Sequence, residues 1–227
     1  MKCWICGAEA DSGEHLPKDS TLKDLFGNVT QQKPLYHSGA RGRNKRLQST
    51  NSKLVKLRVL CAQCNSSRTQ RLDRAWDGFM EYLNNNEHSL NTGSVIRFNR
   101  ACGYRAREKM LNLHLYAVKL FGCVAAEHSI PLDLSGMADA IKHRRPYRKV
   151  YLGLGKRTWL KSLAVAGPSD VEADLDGDKC VFAVWFLTIG KWEFQFIYAV
   201  SGQQREGLAD TWNPALNRRV RLKKFVN

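Results

Sequence analysis

Two Cys-x-x-Cys pairs, Cys3-Trp4-Ile5-Cys6 and Cys61-Ala62-Gln63-Cys64, constrain this 227-residue chain more than any other feature. Each pair presents two thiolates on one tight turn, at the spacing that a tetrahedral zinc ion requires. Four thiolates close the coordination shell, so Cys3, Cys6, Cys61 and Cys64 are expected to form a structural site with no position open to water. The 54 residues between the pairs must therefore leave one knuckle and return to the other. The chain has seven cysteines, an odd number, and its start, "MKCWICG", lacks the apolar core of a signal peptide. Both points favour a reducing, cytoplasmic setting over a disulfide framework. Cys102, Cys123 and Cys180 lie in apolar surroundings and read as core residues.

The charge is unevenly placed. Lys and Arg number 36 against 21 acids, a net charge of +15. Residues 25 to 72 hold ten basic residues and no acid; residues 140 to 169 hold eight and none; residues 211 to 227 hold five and none. Segregated charge repels itself unless a polyanion neutralises it, which points to nucleic acid as the partner. A membrane partner is not expected: no apolar run spans a bilayer, and no basic segment is a clean amphipathic helix.

Periodicity divides the chain into a module over 1 to 88 and an accessory α+β domain over 89 to 227. In the first, residues 17 to 26 read as a short helix stopped by Gly27, and residues 28 to 51 as a mobile basic loop. Residues 53 to 60 alternate as a strand, with Val55, Leu57 and Val59 on one face and Lys56 and Arg58 on the other. After the second knuckle, Ser66 and Ser67 can cap a helix whose buried stripe is Leu72, Trp76, Phe79 and Leu83. A linker over 84 to 93 leads to a long, largely buried helix over 104 to 127 and a shorter one over 134 to 143. Strands follow, including an aromatic hairpin turning at Gly190-Lys191, so the second half is expected to carry an antiparallel sheet. "DLDGDK" (174 to 179) lacks the distal glutamate of a calcium loop and reads as a solvated turn; His114 reads as a satisfied core histidine.

A strand running into "CAQCN", which opens a helix, with "EHLP" upstream, resembles the HNH nuclease family in its branch stapled by a four-cysteine zinc site. The likeness covers about residues 1 to 80. It implies a treble-clef-like ββα-metal finger and a metal-dependent endonuclease that hydrolyses phosphodiester bonds, DNA more than RNA, in phage restriction or in a phage or mobile element's own processing. By position, His15 would be the general base, and Asn51 is nearest to the family's middle asparagine. Glu14 and Asn65 would hold one catalytic Mg²⁺ or Mn²⁺, with Asp73, two turns down the same helix face, as a further carboxylate. Two departures stand out: Glu14 replaces the usual Asp, and Thr69 fills a helix position where the family often has His, Asn or Lys. Phosphate contacts are expected from Arg41, Arg43, Lys45 and Arg46 in the basic loop, Lys56 and Arg58 on the strand, and Arg68 and Arg71 on the helix. Cutting both strands with one finger per chain would take a homodimer or two successive nicks. The rival expectation is a catalytically silent zinc-stapled module that binds DNA or RNA and regulates. An RNA-targeting nuclease is a third.

Overall fold

The first knuckle turns the chain into β1 (Ser12–His15), and Lys18 leads into α1 (Asp19–Phe26). Gly27 stops that helix in a left-handed conformation, φ 71°, which costs glycine little because it has no Cβ. In place of the mobile loop, an antiparallel hairpin follows, β2 (Leu35–Ser38) on β3 (Asn44–Leu47), with Tyr36 opposite Arg46 and His37 opposite Lys45. The run of polar and glycine residues masks this short alternation. Next comes β4 (Lys56–Leu60), antiparallel to β1, with Ser12 opposite Leu60 and His15 opposite Lys56. The second knuckle passes into a π-helical turn, Cys64–Arg68, and then into α2 (Gln70–Asn85).

The serines do not cap this helix. Ser66 Oγ and Ser67 Oγ donate back to the carbonyls of Ala62 and Gln63, because helical turns already begin inside the knuckle. The buried stripe is the expected one: Leu72, Trp76, Phe79 and Leu83.

The second half starts with β5 (Val95–Arg97) and the short α3 (Phe98–Cys102), then α4 (Ala106–Glu127) and α5 (Leu134–Lys142). Strands β6 (Val150–Lys156), β7 (Ala164–Ala173), β8 (Cys180–Ile189), β9 (Trp192–Ala199) and β10 (Arg219–Lys223) complete it. They form a six-stranded sheet in the order β5-β10-β6-β9-β8-β7, antiparallel throughout except for the parallel pair β10–β6. Gly190 and Lys191 make the β8–β9 turn, closing on Ile189 opposite Trp192. The class is therefore mixed α+β. This computed structural model describes residues 1–16, 18–38, 44–50, 52, 55–157, 164–173, 179–200 and 208–224. Most of the "DLDGDK" run lies outside them.

The boundary drawn at 88/89 falls between α2 and β5, yet side chains from both sides share one core. Trp76 of α2 stacks on Tyr116 of α4 at 4.7 Å between centroids and meets Phe194 of β9 at 4.6 Å. Phe79 of α2 lies against Phe98, which stacks on Trp212 at 3.9 Å. Helix α4 is the axis of this core: Leu113 through Ala125 are all buried, including His114 and Lys119. Among the described residues no helix is long and apolar enough to cross a membrane.

Candidate functional site

The two knuckles meet. The sulfur atoms of Cys3, Cys6, Cys61 and Cys64 all lie within 4.8 Å of one another, with Cys6 and Cys61 at 3.5 Å. Tetrahedral zinc with bonds of about 2.3 Å places its sulfurs roughly 3.8 Å apart, so the donor set could hold zinc as it stands. A backbone hydrogen bond from Ala8 helps bring Cys6 down to about 7, while burial pushes Cys61 and Cys64 up. Four adjacent thiolates need a cation to ionise together. Around the sulfurs, the amide of Cys64 donates to Cys61 Sγ at 3.4 Å, and Arg68 Nη1 donates to Cys64 Sγ at 3.0 Å. Arg68 thus supports the sulfur clamp rather than standing free for a phosphate.

Asn65 ties the helix start to the hairpin. Its Nδ2 donates to Ser12 Oγ at 2.9 Å and to the Gly13 carbonyl at 3.1 Å. Thr69, at the departure noted in the sequence, is fully buried and donates from Oγ1 to the Cys64 carbonyl at 2.8 Å, sealing the π turn.

Glu14 and His15 alternate across β1, as adjacent strand residues must, and so enter different surroundings. His15 is half-buried, and its Nε2 lies 3.2 Å from the Thr50 carbonyl. A carbonyl only accepts, so Nε2 carries the proton and Nδ1 keeps its lone pair. Burial lowers the His15 pKa, and the Lys56 ammonium opposite lowers it further, against a smaller pull upward from Asp19. The imidazole is neutral at pH 7 and able to accept a proton. Its orienting group is the backbone of Thr50, one residue before the expected Asn51, which lies outside the described residues.

Glu14 turns inward. Lys119 Nζ, on α4, lies 2.8 Å from Glu14 Oε1 and 2.8 Å from Asp73 Oδ1, with the Tyr116 ring 5.6 Å away. Both carboxylates expected to hold a divalent cation thus share an internal ammonium. Burial alone would lower the Lys119 pKa, but Glu14 and Asp73 more than offset it and hold it above its ordinary value. A second cation between these carboxylates would face a like charge at short range in a site only partly open to solvent. The set Glu14, Asn65 and Asp73 therefore does not fit Mg²⁺ or Mn²⁺ in this arrangement: two members are ion-paired and the third holds β1. Lys119 has a trace in the sequence, as the one charge in the apolar run from Leu113 to Ala126. A lone buried charge demands a partner.

The expected phosphate contacts divide. Arg41 and Arg43 lie outside the described residues. Lys45 and Arg46 are exposed on β3, and Arg46 also donates to the Gln31 carbonyl. Arg58 is exposed on β4, whereas Lys56 is half-buried, its stem lying along Gly13. Arg71 is exposed on α2. No protein-family model, curated protein or solved structure matches the chain.

Proposed function

We propose that this chain is a metal-dependent endonuclease of the zinc-stapled HNH kind, with zinc in the four-sulfur clamp and a treble-clef-like ββα finger as its catalytic part. DNA is the proposed substrate. The observation that carries this reading is His15: neutral by burial, held at Nε2 by the Thr50 carbonyl, and with Nδ1 left as a base. Nδ1 takes a proton from a water whose oxygen attacks the phosphorus. The bond from phosphorus to the 3′ oxygen breaks, and that oxygen leaves with a proton from solvent. Because Glu14 and Asp73 close on Lys119, no step is assigned to a divalent cation.

Supercoiled plasmid with Mg²⁺ or Mn²⁺ present tests the reading. Wild type should nick it, and His15→Ala should lose about 100-fold or more in rate while keeping its zinc and its DNA affinity. The wild-type rate should fall on the acid side only below the ordinary imidazole range, because His15 must stay unprotonated and its pKa is lowered. Equal cleavage by His15→Ala would remove the base assignment. Loss of nicking on chelation, with zinc retained, would require cation ligands other than the Glu14–Asp73 pair.

A second reading has its own support. The Lys119 clamp makes the finger's carboxylates structural, as suits a catalytically silent zinc-stapled module that binds DNA or RNA. Tight binding without cleavage of plasmid, single strands or RNA would favour it.

A further inference from the structure

Three stretches distant in sequence meet around one cleft of about 740 Å³: the start of α4, the turn after α5, and the segment leading into β10. They bring Arg107, Arg144, Arg145 and Arg218 to its walls, together with Asn99. Two of the three acid-free basic runs of the sequence, 140 to 169 and 211 to 227, thus contribute to one concavity. Two acids temper it: Glu108 pairs with Arg144 at 2.9 Å, and Asp139 pairs with Arg145. Arg107 and Arg218, both exposed, have no ion-pair partner among the described residues.

The backbone at this cleft is strained in an informative way. Arg144 follows α5 in a left-handed conformation, φ 52°, while the Arg145 amide closes on the Ala140 carbonyl. Glycine usually fills such a position, since a side chain there costs about 1 kcal/mol or more. An arginine is held there instead, aimed at the cleft. Tyr104, 81% exposed, precedes α4 between Gly103 at φ 58° and Arg105 at φ 55°. On the other side of α4, a second cleft of about 310 Å³ is lined by Arg71, Arg74 and Lys109. The two adjoin: α3 and the first turns of α4 wall both, with Asn99 and Arg107 on one cleft and Cys102 and Lys109 on the other.

We propose that the two clefts form one track for the sugar-phosphate backbone of a nucleic acid, running from α2 of the finger across α4 to Arg218. Planar guanidinium forks suit phosphate oxygens, and a line of them suits a polyanion of regular charge spacing better than a single small anion. The proposal rests on nucleic acid as partner, which both readings of the finger share.

Fluorescence anisotropy with a labelled DNA duplex, across a range of salt concentrations, tests it on the full chain. The double variant Arg107→Gln/Arg218→Gln should bind about 10-fold or more weakly, and its slope of log K against log[salt] should be shallower by about 2. Zinc content and urea midpoint should match wild type, and Arg107→Lys/Arg218→Lys should recover part of the affinity. Unchanged affinity and slope in the glutamine variant would overturn the track while leaving the nuclease reading intact. Equal wild-type affinity for polyglutamate would overturn it too, by making an acidic protein the partner. Binding through the track without cleavage would remove the nuclease reading and leave the track standing.

Discussion

Lys119 shows how one buried charge can decide the character of a site. Its side chain is 1% exposed and reaches Glu14 and Asp73, which sit on β1 and α2, so it ties α4 to both elements. Removing it would leave the buried Glu14 carboxylate and the half-buried Asp73 carboxylate facing each other unpaired. Lys119→Met should therefore lose about 3–5 kcal/mol in urea unfolding, and adding Glu14→Gln with Asp73→Asn should recover most of that loss. A cost below about 1 kcal/mol would mean that solvent already screens the pair. At this scale the sequence was legible where covalent chemistry fixes the partner. The four cysteines have few stable choices besides one another. A glutamate beside a histidine has many, and the sequence offered a metal where the structure supplies an ammonium.

Among the elements, the joint between the first knuckle and α4 leaves no room for an added methyl group. A Cβ added to Gly122 would come within 2.5 Å of the Trp4 indole, whose Nε1 donates to Cys123 Sγ at 3.4 Å. Alanine in mid-helix normally gains about 1 kcal/mol over glycine, but overpacking here should cost about 1–3 kcal/mol. Gly122→Ala should thus fail to stabilise the protein and lower its urea midpoint, and Trp4→Leu in the same chain should relieve the defect. A raised midpoint would show that the indole moves aside freely. Helices α2 and α4 were readable because an apolar stripe or a long buried run repeats a helical period whatever lies opposite. Strands β5 and β10 were not. Three and five residues long, they carry too little alternation, and β10 is drawn into the sheet by its pairing with β6 and β5.

For the whole molecule, the shared core bears on how the chain folds. Trp76 and Phe79 of α2 are buried against Tyr116, Phe194 and Phe98 of the second half, and Leu83 belongs to the same core. Residues 1 to 88 alone would expose that stripe, a loss of about 1.5–3 kcal/mol for each large side chain. Expressed alone with zinc, this segment should show no cooperative thermal transition, whereas the full chain should unfold in one step. A well-folded 1–88 fragment, by its dispersed amide spectrum, would support the two-domain description.

What the sequence determined by itself was whatever local spacing enforces: two Cys-x-x-Cys knuckles, the helical stripes, the aromatic hairpin and the segregation of charge. Only the tertiary structure decided which distant groups meet. Chain packing put an ammonium between Glu14 and Asp73, set the Thr50 carbonyl on His15, and folded separate basic runs around one cleft. Such pairings depend on where α4 lies, and no local pattern of residues encodes that position.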